Sequence, residues 1–594
     1  MALRRIAILA ILILGSNMAR TRADSADGIA YRTQIIVPGD PALAGEMHDI
    51  SRLVAKEDAK TDSELTLRRR AAADLDQLAA AARAAGYYDA ELSYDLDSKS
   101  RPWRVSVKVN LGAPYRLRAV RVVTPQGGVP PLAERFDPAT LGLELGMRAR
   151  SAPILEAEDK LLRYYTTRGR PLAKVMGHKA IIDRADHSMH VTYTIVVGPS
   201  ATFGKAEITG LKAVDLRFVL NRLAWKEGTQ YDSSEVVSTQ QTLVASNLFA
   251  TVKITPAEKV GSDGRIPIRI AVTERPPRTI GGGLYYDSSL GFGAKAYWEH
   301  RNLFGEGELL HLETTLGQSD YGLLAQFKRP YFLVQGLDLR SEVSLADLMT
   351  DAYDTKRATV FTGLDYDFGD RVTGGVGAEV LEGRVQDDTG TQDYTLAGLP
   401  TYVRRDDTDD LLNPTRGTRL SLAATPYTSL SGSSLTFLNA KLTASGYQRL
   451  RSDDRFVLAG FASMGSISGA SIDALPRDLR LYEGGGGSVR AYGYQKAGPL
   501  DQFDNPIGGL SSLVVGLELR TKITDTIGIV TFMEGGNVYD SSLPDLSQPL
   551  LWGPGVGVRY FSSIGPLRFD IATPLDRRPS DGVVQVYISL GQAF

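Results

Sequence analysis

From residue 278 to the C-terminus, apolar and polar positions alternate with a period of two. Along 337–345, Leu337, Leu339, Ser341, Val343 and Leu345 share one face, and Asp338, Arg340, Glu342 and Ser344 share the other. Along 513–523, Leu517, Leu519 and Ile523 alternate with Glu518, Arg520 and Lys522. Leu567, Phe569 and Ile571 alternate with Arg568, Asp570 and Ala572. Such spacing predicts strands with one apolar face. No helical period interrupts the segment, and turns rich in Gly, Asp, Asn and Pro punctuate it. A soluble sandwich or propeller alternates too. With nothing to cover the apolar face, a transmembrane barrel is the simpler reading. At about 10 residues per tilted strand plus turns, 278–594 holds about 16 antiparallel strands.

The pattern before residue 276 is different. Strand-like Tyr31–Val37 is followed by helical stretches over 41–56 and 63–85, a glycine stop at Gly86, and alternating strands over 90–96 and 103–110. The order β-α-α-β-β recurs, giving three units at 28–112, 113–199 and 200–276. Glu274-Arg275-Pro276-Pro277-Arg278 reads as the linker to the barrel. At the N-terminus, Arg4 and Arg5 precede the apolar run Ile6–Leu14, then Thr21-Arg22-Ala23. This is the layout of a signal peptide over 1–23; the apolar run is short for a membrane anchor.

Composition narrows the classes. The formal net charge is -2, which argues against a nucleic-acid partner. With 0 cysteines, disulfide scaffolds and thiolate metal sites are excluded. His187 and His190 lack a third ligand nearby, so no metal and no cofactor are expected. The lumen-facing carboxylates Asp338, Glu342, Glu518 and Asp570 read as solvated wall residues, and no catalytic constellation stands out, so an enzyme is not expected.

The densest signal is Glu483–Tyr494. Gly484–Gly487 permit a tight fold-back, and Arg490 follows among Val489, Ala491 and Tyr492. No Lys-Ser/Thr pair follows, so this is no phosphate loop. Taken alone, Arg490 is as well read as a solvated loop residue.

The three units resemble POTRA domains. Together with four barrel motifs, they make the chain resemble the outer-membrane insertase superfamily, in its TamA-like branch. The motifs are the Arg301-Asn302-Leu303-Phe304-Gly305 turn, Arg329-Pro330-Tyr331-Phe332, Asn413-Pro414-Thr415-Arg416-Gly417, and Gly565–Asp570. The family's inward-folded loop carries V-R-G-Y or V-R-G-F, and here Ala491 replaces the glycine. The family's facing strand is F-x-D-x-G, here Phe532, Glu534 and Gly536, with Glu for Asp. The resemblance therefore implies that Arg490 pairs with Glu534 inside the barrel.

The resemblance further implies an assembly factor for autotransporters and other outer-membrane proteins. It would work through a lateral seam between the first strand (Thr279–Leu284) and the last (Val584–Phe594). Gly281, Gly282 and Gly283 should weaken that seam, and Gly591 near the terminal Phe594 would permit a kink. The implied partners are a TamB-like inner-membrane-anchored protein, unfolded outer-membrane clients and outer-membrane lipid, with the POTRA units in the periplasm. Alternatives are a BamA-type general insertase, a two-partner secretion transporter, and a passive outer-membrane pore.

Overall fold

The computed structural model describes residues 28–131, 137–287, 291–431, 434–451, 453–562, 565–590 and 592. The expected signal peptide, Gly591 and Phe594 lie outside them.

The first small domain runs β1 (Tyr31–Ile36), α1 (Pro41–Ile50), α2 (Arg52–Ala55), α3 (Glu64–Ala84), β2 (Glu91–Asp97) and β3 (Trp103–Asn110). Its sheet has the order β1-β3-β2, with β1 parallel to β3. Leu43, Met47, Leu67 and Leu78 pack on Val105 and Val107 in one core. The single helix expected over 41–56 is broken at Ser51, whose backbone is extended. The Ser51 hydroxyl donates to buried Asp74, 2.6 Å away, so a side-chain bond replaces helix continuation.

The second domain repeats this with β4 (Arg116–Val123), a 3-10 turn at Pro138–Leu141, α4 (Ser151–Thr166), β5 (Lys174–Asp183) and β6 (Ser188–Val196). The third has β7 (Thr202–Thr209), α5 (Leu216–Leu220), α6 (Ser233–Ala245), β8 (Phe249–Pro256) and β9 (Arg265–Glu274). Their sheets keep the same order, β4-β6-β5 and β7-β9-β8. The helix expected over 138–143 is only the 3-10 turn, because Asp137 caps Ala139 and left-handed Gly142 stops it.

The first two joints are built alike. Helix α3 ends at left-handed Gly86, whose carbonyl accepts from Tyr115 N at 2.9 Å. After α4, left-handed Gly169 accepts from Ala201 N, also at 2.9 Å. At the first joint, Arg148 donates to Asp40 (2.6 Å) and to the Tyr87 hydroxyl (2.7 Å).

Packing divides the chain into two compact units. One takes the described residues through Glu207 with Ala224–Ser238 and Thr255–Arg269. The other takes Ile208–Leu223, Thr239–Ile254 and the described residues from Ile270 onward.

The barrel runs from β10 (Arg278–Asp287) to β26 (Gln585–Leu590) and closes on itself. Segments β17 (Gly390–Gly398) and β18 (Thr401–Asp406) both pair with β16 (Val372–Asp387) and β19 (Gly417–Ser431). They are one strand interrupted at Leu399-Pro400, where proline has no N–H for the ladder. The barrel therefore has 16 antiparallel strands.

Its faces are inverted relative to a soluble protein. Leu517, Leu519, Leu567, Phe569 and Ile571 point outward and are exposed, while Glu518, Arg520, Arg568 and Asp570 are buried inside. That apolar exterior suits hydrocarbon, and the closed ladder satisfies backbone groups there. No described helix is long and apolar enough to cross a membrane. The end at which the chain enters, near Arg278, is called proximal below, and the opposite end distal.

Candidate functional site

The distal connection between β21 (Phe456–Ser468) and β22 (Ser511–Lys522) is long, and its middle folds back into the lumen. Gly484 and Gly485 take left-handed backbone at the fold-back, and Gly485 N donates to Tyr492 O at 3.0 Å. Val489, Ala491 and Tyr492 pack with Val514, Val530, Phe532 and Ala572. This apolar collar removes water from the residue between them, and Arg490 is 0% exposed.

A buried guanidinium needs partners for all its donors. Arg490 Nε donates to Glu534 Oε1 at 2.8 Å, and its backbone N donates to Glu534 Oε2 at 2.9 Å. Nη1 donates to Asp570 at 2.6 Å, and Nη2 to Glu518 at 2.6 Å. The Phe532 ring lies beneath, its centroid 3.4 Å from the guanidinium carbon. The planar fork thus meets carboxylates on three strands: β22, β23 (Ile527–Tyr539) and β25 (Gly565–Ala572).

Around this centre lies a ring of arginines. Arg520 Nε donates to Glu518 at 2.9 Å, Arg559 Nη1 donates to Asp570, and Arg568 Nε lies 3.5 Å from Asp570. Four guanidiniums thus face the three carboxylates Glu518, Glu534 and Asp570. Opposite charges keep the buried cluster close to neutral, which is the condition for burying charge at all.

The structure brings Val489, Arg490, Ala491 and Tyr492 against Phe532, Glu534 and Gly536. Glu518 and Asp570, expected as solvated wall residues, are instead dry and paired, because the loop displaces lumen water from them. Alternation placed them on the lumen face, but nothing local showed that a distant loop would cover them. Glycines receive the loop. A Cβ at Gly536 would meet the Val489 side chain at 2.7 Å, and one at Gly553 would collide with the Ala491 methyl.

Residues 302–594 match the Omp85 superfamily domain, and residues 49–111 match the POTRA domain described as TamA domain 1. The chain belongs to the Omp85 superfamily. The outer membrane protein assembly factor BamA of Neisseria meningitidis serogroup B is 23% identical over 450 residues, covering 65% of this chain and 56% of that protein. The chain thus spans little more than half the length of this relative. The crystal structure of BamA from Haemophilus ducreyi lacking POTRA domains 1–3 superimposes with a TM-score of 0.66 at 18% identity. That superposition covers 80% of this chain and 99% of the other.

The closure of this Omp85 barrel is uneven. β10 pairs β11 (Gly291–His300) along its whole length, from Arg278↔His300 to Asp287↔Gly291. On its other side, among the described residues, it meets β26 only at Tyr286↔Ile588 and Asp287↔Tyr587. Ile280 and Leu284 stand 81% and 88% exposed beside this edge.

The glycine run acts differently from expectation. A Cβ at Gly281 would collide with the Tyr297 ring, which crosses from β11. At Gly282 it would come within 2.9 Å of the Lys295 carbonyl, and only Gly283 faces open space. Gly281 therefore seats an aromatic ring and helps hold β10 to β11. Among the described residues, the thin pairing lies on the β26 side.

The two early barrel turns serve the third small domain. Asn302 donates to Ala213 O at 2.9 Å, and Asp215 N donates to Gly305 O at 2.8 Å. Buried Arg222 lies between the Phe218 and Tyr331 rings, at 3.5 and 4.0 Å. Burial lowers its pKa to about 10.

Proposed function

We propose that this protein is an outer-membrane assembly factor of the TamA type. It inserts autotransporters and other barrel proteins by opening the β10–β26 seam and templating client strands on the freed edge of β10. The observation that carries this reading is the asymmetric closure among the described residues, full pairing with β11 against two residue pairs with β26. An unfolded strand cannot cross hydrocarbon with its amides unsatisfied, and an available strand edge supplies the missing partners.

The match of 49–111 to a TamA POTRA domain supports the TamA branch and, with it, a TamB-like partner on the periplasmic side. The likeness to a protein named as an outer membrane protein assembly factor supports unfolded barrel proteins as clients. The apolar outer surface supports outer-membrane lipid as the barrel's surroundings. A passive pore is disfavoured by a lumen occupied by the Arg490 loop.

The chain has no cysteine, so a disulfide across the seam is a clean test. Tyr286→Cys with Ile588→Cys, oxidised in proteoliposomes, should stop client assembly, and reductant should restore it. Full assembly by the oxidised form would refute a lateral gate.

A further inference from the structure

The proximal turn between β18 and β19 is rigidly built and reaches the closing strand. Asp409 accepts from Thr415 N (2.8 Å) and Arg416 N (3.2 Å), and Arg449 Nη2 donates to it at 2.9 Å. Asp410 accepts from Leu412 N (2.8 Å) and Asn413 N (2.7 Å). Gly417 is left-handed, and a Cβ there would come within 2.8 Å of Thr408 Cα.

Held this way, the turn presents two groups to Gln592, just beyond β26. Gln592 Nε2 donates to Asn413 Oδ1 at 2.9 Å, and Gln592 N donates to Leu412 O at 3.4 Å. The Gln592 side-chain Oε1 accepts from Arg559 Nε at 2.8 Å. One chain of bonds therefore runs from Arg490 through Asp570, Arg559 and Gln592 to Asn413. A second runs from Arg490 through Glu518 and Arg520 to the Pro414 carbonyl, 3.3 Å from Arg520 Nη1. Both end on the same turn.

The turn belongs to strands about halfway round the barrel from β26. Nothing in wall closure requires it to touch the last strand. The contact does have a consequence at the seam. Among the described residues β26 meets β10 at Tyr286↔Ile588 and Asp287↔Tyr587, it pairs with β25 from Leu590 to Gln585, and Gln592 just beyond it bonds to this turn.

We propose that the Leu412-Asn413-Pro414 turn is an internal clasp that holds the end of the closing strand and sets how readily β26 leaves the seam. Gln592 is its ligand, and Arg559 and Arg520 report the seating of the Arg490 loop to it. An incoming strand that displaces β26 must break the Gln592–Asn413 bond. With the loop unseated, Arg559 loses its orientation and the clasp loosens.

The inference rests on the seam as the place that opens, but its test reads strand exposure, so a chain that assembles no clients still answers it. Hydrogen exchange would be measured on the full chain in nanodiscs, comparing wild type with Asn413→Ala and Gln592→Ala. Losing the partly buried Gln592–Asn413 bond, the loss common to both variants, corresponds to about tenfold in an opening equilibrium. Exchange of the 585–590 amides should therefore quicken about tenfold in both variants, with the 565–572 amides unchanged. Wild-type exchange over 585–590 in both variants overturns the clasp. So does equal acceleration over 565–572, which would report general loosening of the wall. If an alanine variant does not fold, Asn413→Cys with Gln592→Cys answers instead. Oxidation should slow exchange over 585–590 and reduction should restore it; no difference between the two states overturns the proposal.

Discussion

Ala491 fits against Gly553: the barrel wall lacks a Cβ where the loop's methyl sits. The chain departs from the family's loop-tip glycine, and the wall opposite has room for the added carbon. Ala491 is absent from the left-handed residues, so the substitution brings no backbone strain. Gly553→Ala should destabilise the folded barrel by about 1–3 kcal/mol through overpacking. Combining it with Ala491→Gly should recover most of that loss. Urea titration of the heat-modifiable folded form on gels measures both.

Arg490 is the hub of a dry charge cluster, and removing it takes from Glu534 its ion-pair partner among the described residues while Glu518 and Asp570 keep Arg520 and Arg559. Arg490→Ala should cost about 3–5 kcal/mol, the usual scale for breaking a buried ion pair. Arg490→Lys should rescue little, because an ammonium cannot reproduce a fork that reaches Glu518, Glu534 and Asp570 together. Protease nicking within 480–500 should rise in both variants. A lysine variant as resistant as wild type would contradict this geometry.

Asp409 gives the proximal turn a pH limit. Burial pushes its carboxyl up, but hydrogen bonds from Thr415 and Arg416 outweigh burial and hold it at about 2. An unfolded aspartate titrates near 3.9 (approximately). Its stabilising share is present above about pH 4 and is lost as pH falls toward about 2. Amide exchange in 411–416, compared at matched intrinsic rates, should lose protection across that window. In Asp409→Asn the acid-dependent step should disappear.

The Arg222–Tyr331 stack holds the third domain's α5 segment to a barrel turn. Tyr331 takes φ 53°, so its ring is presented from a backbone that most residues avoid. Tyr331→Ala should weaken this contact by about 1–2 kcal/mol. Tyr331→Phe should keep most of it. Exchange of the Leu216–Leu220 amides distinguishes the two.

Periodicity made the architecture legible. Alternation through Leu517-Glu518-Leu519-Arg520 put the charges inside, and one element order read three times matched the three small sheets. Local chemistry escaped that reading. Ser51 ends a helix because Asp74, distant in sequence, takes its hydroxyl. Gly281 looked like a weak point because glycine carries no side chain, yet Tyr297 from the next strand lies over it. At the site, the family resemblance implied Arg490 and Glu534 but left Glu518 and Asp570 as wall residues. Their burial depends on a loop that enters the lumen from far along the chain. Gln592 carried no sequence signal at all, since a lone glutamine is informative only once its neighbours are known.

The edge of β10 that faces away from β11 has one more consequence. From Arg278 to Tyr285 its backbone meets no β26 partner among the described residues, and within that stretch Gly281, Gly282 and Gly283 contribute no side chains. Amides and carbonyls repeat at the same spacing whatever the sequence they come from. On the proposed role, such an edge would discriminate by length and alternation and be indifferent to residue identity. Breadth of recognition would then be inherent in the strand itself, and any selectivity among incoming chains has to be exercised elsewhere in the molecule.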